Sequence, residues 1–278
     1  MNERQPYSLP PGFAQWLSLR EPADVAARST ELVDAVRATL TDDGPYLVRD
    51  LGAGTGSLGR WLAPLLPGPQ QWVLHDQDLD LLARACADMP TTAADGSAVT
   101  VRAEAGDLTR LTADDLADTA LVTASALLDM LTAEEVDRIV AACVEAGTRT
   151  LFLISVSGGV RLTPSDPLDD EVAEAFNAHQ RRAVAGRHLL GPDAVEACTA
   201  AFARHGVPVR VQPSPWRLGP EQADLAGQWF AGWLEAAREQ RPELVDRTAE
   251  YERRRHEEAR TGRLGVQVDH VDLLALCH

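Results

Sequence analysis

Runs of apolar residues alternate along the chain with segments in which apolar positions recur at helical spacing. The runs predict five buried strands, and the periodic segments between them predict helices over 57–66, 78–89 and 133–146. The predicted strands lie at 46–51, 71–76, 99–105, 119–125 and 149–157. Strands that alternate with helices in this way are typical of a mostly parallel sheet with helices on both faces.

The segments on either side of this alternation add helices and complete the sheet. Ahead of it, apolar positions over 13–40 predict two helices that Pro22 and Asp24 separate, and residues 1–12 form a polar, proline-rich arm. Behind it, 158–170 is a polar loop. The remaining elements are helices over 172–183, 193–205 and 221–262, and strands over 207–212 and 264–275.

These elements predict an α/β fold, a Rossmann-like seven-stranded sheet with N-terminal helices and a helical insert before the last strand. The chain then divides into an N-terminal arm and helices at 1–45, an α/β core at 46–220, the insert at 221–262 and the final strand at 263–278. The insert carries an aromatic stripe with Trp229 and Trp233, which is either plain core or the cover of a substrate pocket.

A glycine-rich turn follows the first predicted strand, in the order Asp-Leu-Gly-Ala-Gly-Thr-Gly from Asp50 to Gly56. Glycines allow positive φ and let a ligand lie against bare backbone at the start of a helix. Gly54, Gly56 and Gly59 fit the spacing of dinucleotide binders, whereas Gly52, Gly54 and Gly56 fit that of methyltransferases. Asp50 favours the second group, because its carboxylate suits a ligand's ammonium and would repel a pyrophosphate.

A second acidic residue, Asp76, ends the next predicted strand 20 residues after Gly56. An acid at this place accepts hydrogen bonds from both hydroxyls of a ribose. This geometry serves NAD and S-adenosylmethionine equally, so Asp76 indicates a nucleoside without choosing between them.

The turn resembles the first motif of the class I S-adenosylmethionine-dependent methyltransferase family, and 121–129 resembles the fourth. The likeness covers roughly 46–211 with the last strand added, and it implies S-adenosylmethionine as cofactor and in-line attack on its methyl group. The residues that it implies are Asp50, Gly52, Ala53, Gly54 and Gly56 for the methionine part, Asp76 and Gln77 for the ribose, Asp107 and Leu108 for the adenine, and Ser125 beside the sulfonium.

Catalytic side chains are harder to predict, because methyl transfer expels a neutral thioether and depends mainly on positioning. His179 follows the fifth strand, where loops build the sites of open α/β sheets, and is the candidate base. Asp129 lies one turn past the fourth motif and could orient a substrate hydroxyl or amine. Arg20 and Arg28 could bind a carboxylate. A purely structural role is the alternative for each.

Composition and charge exclude several classes of binding partner and site. The net charge is −16, from 26 basic and 42 acidic residues, and every basic residue is arginine, which excludes a lysine nucleophile. The acidic balance argues against non-specific nucleic-acid binding. Four scattered cysteines suggest neither a zinc site nor a disulfide framework, and no set of metal-binding carboxylates is evident. With no signal peptide and no run of 18 apolar residues, we expect a cytoplasmic protein without a membrane span.

We therefore predict methyl transfer to a small-molecule acceptor, by O-, N- or C-methylation. The sequence lacks the Asn-Pro-Pro-Tyr type of motif that marks enzymes methylating amino groups of nucleic acids and proteins. Two alternatives stay open: an NAD-dependent oxidoreductase, and a non-catalytic ligand-binding or assembly protein of the same fold. The oligomeric state is not readable, and a homodimer is compatible with the sequence.

Overall fold

A computed structural model describes residues 12–40 and 44–277, so the predicted arm lies almost wholly outside the described residues. The helices are α1 (Phe13–Ala27), α2 (Thr30–Arg37), α3 (Ser57–Leu62), α4 (Leu79–Ala87), α5 (Ala133–Glu145), α6 (Asp169–Gln180), α7 (Ala194–Arg204), α8 (Ala223–Gln240) and α9 (Leu244–Arg260). The strands are β1 (Tyr46–Leu51), β2 (Gln70–Asp76), β3 (Val99–Ala105), β4 (Thr119–Ser125), β5 (Arg149–Thr163), β6 (Ala183–Val184), β7 (Arg187–His188), β8 (Val209–Pro213), β9 (Trp216–Leu218) and β10 (Gly265–Leu276).

The main sheet runs in the order β3-β2-β1-β4-β5-β10-β8. Strands β1 to β5 are parallel, and β10 enters antiparallel between β5 and β8. This confirms the predicted Rossmann-like α/β sheet, but the sheet has eight strands rather than seven. The extra strand is β9, which pairs with 266–268 of β10 while β8 pairs with 271–275. Pro215 separates the two, because proline cannot donate to the ladder.

Both faces of the sheet are covered over its central strands, so β1, β2 and β4 are buried at most positions. One apolar cluster joins α2, α3 and α4 to the sheet through residues such as Leu32, Leu58 and Leu82. A second joins α5 and α7 to the other face through residues such as Ile139 and Phe202. Helices on opposite faces leave the carboxyl ends of β1 and β4 open between them.

Two predicted boundaries are wrong. Pro22 lies inside α1, and the break falls at Ser29, whose hydroxyl accepts a 3.3 Å hydrogen bond from the amide of Leu32 and caps α2. The predicted loop at 158–170 begins as strand, because β5 continues to Thr163 and pairs with the start of β10. That extension is half-buried and therefore lacks the apolar pattern of the inner strands.

The helical insert forms a third apolar cluster with α6 and the extended β5–β10 pair, built on side chains such as Phe230 and Trp233. Trp229 stacks on Trp233 with their ring centroids 5.4 Å apart. The buried Arg255 ties α9 to α6 through hydrogen bonds of 2.7 and 2.9 Å to Asp169. The aromatic stripe is thus largely core.

The glycine turn is held against α4. Gly56 has φ +81°, and a Cβ added to it would lie 3.0 Å from Cβ and 3.1 Å from Cα of Ala85. Contacts below 3.4 Å are tighter than most real Cβ contacts, and here one of the opposing atoms is backbone. Gly56 is therefore fixed by its backbone conformation and by helix packing together.

The substitution Gly56→Ala should destabilise the protein more than Gly96→Ala, although both glycines have φ +81°. A Cβ at Gly96 meets nothing within 4 Å, so that variant carries only the left-handed backbone penalty, about 1–2 kcal/mol. Gly56→Ala adds the clash with α4, which costs about 1–3 kcal/mol more. Urea denaturation measures both, and equal losses would contradict the packing described here.

Candidate functional site

A cavity of about 1110 Å³ opens at the carboxyl ends of β1, β2 and β4, with α1 above it. It brings together nine of the ten predicted cofactor residues from four separate stretches of chain. Those nine are Asp50, Gly52, Ala53, Gly54, Asp76, Gln77, Asp107, Leu108 and Ser125. Gly56 is not among the lining residues, because it faces α4. The nine residues therefore converge on one cavity, and the role of each of the ten in cofactor binding stays a prediction.

Asp50 supplies a buried negative charge at the end of β1. Its side chain is 1% exposed and accepts a 2.8 Å hydrogen bond from the Thr123 hydroxyl on the neighbouring strand β4. Burial raises the pKa of Asp50 to about 7. The hydrogen bond from Thr123 and the charge of Arg28 lower this pKa, and the charge of Asp76 raises it. The carboxyl group therefore titrates near neutral pH and would hold its charge more firmly beside a cation.

Arg28 supplies a buried positive charge to the same cavity. It lies just after α1, is 5% exposed, and donates to Ser57 Oγ at 3.2 Å and to Ser125 Oγ at 3.3 Å. These partners are neutral, and its buried Nε has no hydrogen-bond partner in the described part of the chain. Burial lowers the pKa of Arg28, opposed by the charges of Asp24 and Asp50. Arg28 is thus well placed for an anionic group.

The amide groups of the glycine turn are largely occupied by the protein itself. Gly54 N–H donates to Asp76 Oδ2 at 2.8 Å, Ala53 N–H to a β2 carbonyl at 3.0 Å, and Gly56 N–H to Ala53 O at 2.8 Å. A Cβ added at Gly52 would meet Leu127 Cδ1 at 3.0 Å. The turn therefore offers close approach to backbone, but few free donors for a phosphate.

The third acidic strand end, Asp107, is oriented by its own turn. Its Oδ1 accepts hydrogen bonds from the amide of Thr109 at 3.1 Å and from the Thr109 hydroxyl at 2.6 Å. Leu108 beside it is buried. The two residues form an apolar shelf with an acceptor beside it, at the end of the cavity away from β4.

The two predicted catalytic residues do not line the cavity. Asp129 lies in a short 3₁₀ turn at 128–130, where burial raises its pKa to about 6 and the charge of Arg20 lowers it. His179 lies near the end of α6, with Nε2 2.9 Å from Glu239 Oε2 on α8. The structure therefore leaves Asp129 near the cavity and holds His179 against the helical insert.

The face of α1 above the cavity adds three apolar lining residues that were not among the predicted site residues, beside Arg20, which the sequence proposed as a carboxylate binder. Phe13, Trp16, Leu17 and Arg20 all line the cavity at helical spacing. Arg20 binds Asp24 with hydrogen bonds of 3.0 and 3.1 Å. No described residue of 221–262 lines the cavity. The sequence shows the helical spacing of α1, but its Pro22 predicts a break that the structure does not have.

No helix within 12–40 and 44–277 is long and apolar enough to cross a membrane. The same ranges contain no group of three or more His, Cys, Asp or Glu side chains that could hold a metal ion.

No family model and no curated protein matches this sequence. Solved structures do resemble it. A mycolic acid cyclopropane synthase complexed with SAH is 13% identical, with coverage of 87% of this chain and 82% of that chain and a TM-score of 0.46. A geranyl diphosphate methyltransferase in complex with SAM is also 13% identical, with coverage of 99% and 93% and a TM-score of 0.45.

An SAM-dependent methyltransferase from Geobacter sulfurreducens, in complex with S-adenosyl-L-homocysteine, is 16% identical, with coverage of 96% and 98% and a TM-score of 0.42. Likenesses this distant carry no argument about activity. The class that this chain's own geometry defines is a Rossmann-like α/β protein with a ligand cavity at the carboxyl ends of its parallel strands.

The free energy of unfolding should depend on pH through the titration of Asp50. The pKa of Asp50 is about 7 in the folded protein and 3.8 in the unfolded chain. Between these values the folded protein keeps a proton that the unfolded chain releases. The contribution of Asp50 to the free energy of unfolding is therefore full below pH 3.8 and is lost as the pH rises through 7. Between about pH 5 and pH 7 the wild type should lose up to about 1.4 kcal/mol per pH unit relative to Asp50→Asn. Urea denaturation across this range measures the difference.

The matched control for this measurement is Asp95→Asn. Hydrogen bonds from the backbone of Ser97 and Gly68 lower the pKa of this exposed loop aspartate, so its titration lies below the tested range. Its stability curve should therefore run parallel to that of the wild type. A parallel curve for Asp50→Asn as well would show that Asp50 is ionised throughout.

Proposed function

We propose that this protein is a class I S-adenosylmethionine-dependent methyltransferase that acts on a small-molecule acceptor. The observation that supports this most is the pair of buried opposite charges in the cavity, Asp50 and Arg28. A carboxylate and a guanidinium on either side of one glycine turn are complementary to the ammonium and carboxylate of an amino acid. Asp76 and the Leu108 shelf would then hold the nucleoside part of the same ligand.

The same features argue against NAD. A pyrophosphate needs free amide donors and no nearby negative charge. Here three turn amides already have acceptors, and Asp50 lies at the end of the preceding strand. The placement of β10 between β5 and β8 also agrees with the methyltransferase resemblance, which includes the last strand of the sheet. A non-catalytic binding protein would share this site, and turnover distinguishes it from an enzyme.

The cavity is slightly larger than the usual site for one small molecule. Sites for single small molecules usually measure about 300–1,000 Å³, and this cavity has about 1110 Å³. Beyond the predicted cofactor residues, its walls include Trp16 and Leu17 of α1 and Leu127 and Met130 after β4. These side chains favour an acceptor with an apolar body.

Bound S-adenosylmethionine would supply an activated methyl group. The part of the chain in the reaction is then to hold the two reactants together and to exclude water, which can account for much of the acceleration. Asp50, Arg28 and Asp76 hold the cofactor in place, and the apolar face of α1 excludes water. Asp129 is the better placed of the two candidate bases, because it follows the lining residues Ala126 and Leu127 in the same segment.

Ligand dissection tests the assignment. S-adenosylhomocysteine carries the amino acid group, and 5′-methylthioadenosine lacks it. Arg28→Met and Asp50→Asn should each weaken binding of the first ligand about tenfold or more, since a hydrogen bond to a charged group contributes about 1.5–3 kcal/mol. Binding of the second ligand should change little. Asp76→Asn should weaken both, because it contacts the shared ribose. Isothermal titration calorimetry measures each affinity.

Arg37→Met on α2 is the matched control, because Arg37 is half-exposed and pairs with Asp34 at the surface. It should leave both affinities unchanged. Binding of NAD with no binding of S-adenosylhomocysteine would contradict the proposal.

The acceptor side is tested by turnover. Trp16→Ala should slow release of S-adenosylhomocysteine from S-adenosylmethionine, over a panel of aromatic and aliphatic acceptors, while S-adenosylhomocysteine binds as before. Trp229→Ala is the control, because Trp229 is equally half-buried but packs on Trp233 of the insert. Equal loss in both variants would favour the insert as the cover, and turnover with no panel member would favour a non-catalytic protein.

A further inference from the structure

Asp272 is a fully buried carboxylate on β10, with 0% exposure. Its two oxygens contact three different parts of the chain. Oδ1 accepts from the amide of Ile154 at 2.7 Å and from the hydroxyl of Ser214 at 2.6 Å, and Oδ2 accepts from the amide of Ser29 at 2.7 Å. A buried carboxylate is unfavourable unless such donors surround it. Its position therefore fixes where these three donors lie.

The contact with Ser29 bears directly on the cavity, because Ser29 follows Arg28. Both residues leave helical geometry there, with ψ 137° at Arg28 and ψ 110° at Ser29. The Ser29 amide is held by Asp272 while its hydroxyl caps α2. The direction in which Arg28 leaves the backbone is thus set from outside the N-terminal segment.

The other contacts of Asp272 make it a rigid anchor. Ile154 has φ +54°, which a β-branched residue rarely adopts, and its amide points at Asp272. Ser214 is buried in the turn between β8 and β9. Two of the three donors belong to the sheet and its edge, so the third, from Ser29, is the one that joins the N-terminal helices to them.

We infer that Asp272 is a positioning residue for the cofactor's carboxylate, which acts by holding the Arg28–Ser29 turn so that the Arg28 guanidinium points into the cavity. This inference rests on the proposed function, because it assigns Arg28 to the amino acid part of S-adenosylmethionine. It separates one carboxylate, Asp50, which would contact the ligand, from another, Asp272, which contacts none of it.

Asp272→Asn tests the inference with little change in shape. The amide oxygen can replace Oδ1 and keep the donors from Ile154 and Ser214, which places the NH₂ group against the Ser29 amide. Two donors then face each other, and the turn must move. We expect the affinity for S-adenosylhomocysteine to fall about tenfold or more, as for loss of one charge-assisted hydrogen bond. The affinity for 5′-methylthioadenosine should change by less than about twofold.

Ser214→Ala is the matched control. It removes a donor from Oδ1 and leaves the contact between Oδ2 and Ser29. Thermal unfolding should show a lower Tm, but the ratio of the two ligand affinities should equal that of the wild type. If Asp272 had a purely structural role, both variants would have a lower Tm, and each would lose affinity for the two ligands to the same extent.

A double-mutant cycle shows whether Asp272 acts through Arg28. In an Arg28→Met background, Asp272→Asn should weaken S-adenosylhomocysteine no further. If Asp272→Asn does not fold, Ser29→Pro removes the same amide donor from outside the core, and its ring would press against Oδ2. That variant should show the same selective loss.

The outcomes separate the two levels of the proposal. If wild type binds no S-adenosylhomocysteine, the proposed function fails. If the wild type binds S-adenosylhomocysteine, the proposed function stands. The positioning role is then overturned if Asp272→Asn changes the affinities for both ligands equally or changes neither affinity. It is also overturned if Asp272→Asn weakens binding further in the Arg28→Met background.

Discussion

The site depends on one constraint of parallel sheets. Neighbouring strands that run the same way end at the same edge, and where the following helices leave toward opposite faces a crevice opens. In this chain β1 and β4 lie side by side at the centre, and the helices after them pack on different faces. The residues that end the strands therefore meet: Asp50 from β1, Asp76 from β2 and Ser125 from β4 all line one cavity.

Buried charge gives that crevice its chemical character. Asp50 is raised to a pKa of about 7 by burial, and burial lowers the pKa of Arg28, so each group is held in surroundings that disfavour its charged form. The charge of Arg28 lowers the pKa of Asp50, and the charges of Asp24 and then Asp50 raise the pKa of Arg28. A ligand that carries both an ammonium and a carboxylate would stabilise both charges, whereas a ligand with one charge would stabilise one and oppose the other.

Local sequence predicted the centre of the fold well. The bounds of β1, β3 and β4 agree with the structure. Glycines follow the first two strands directly, at Gly52 and Gly106, and the polar Ser125 ends the third. Nine of the ten predicted cofactor residues line one cavity because they lie at or just after the carboxyl ends of the parallel strands. Gly56 differs because spacing shows where a glycine stands but not which neighbour requires it. Here that neighbour is Ala85 on α4.

The errors concern elements whose limits are set by distant partners. The extension of β5 exists because β10 pairs with it from more than 100 residues away, and no local pattern shows that pairing. Pro22 has a strong local preference that α1 overrides by packing into the apolar cluster of the insert through Ala23 and Trp16. The aromatic stripe of α8 resembled a lid, but α6 and the β5–β10 pair bury it.

The position of α1 joins these observations. At 1.5 Å per residue, Phe13 and Arg28 are about 22 Å apart along the chain axis, yet both line the same cavity. In the proposed function, one end of the helix supplies the apolar cover on the acceptor side, and the other supplies the cation on the cofactor side. Asp272 fixes the Arg28 end through Ser29, and Trp216 Nε1 adds a 2.9 Å hydrogen bond to Asp24 one turn earlier, so that end of α1 is held to the edge of the sheet while its Phe13 end lines the cavity.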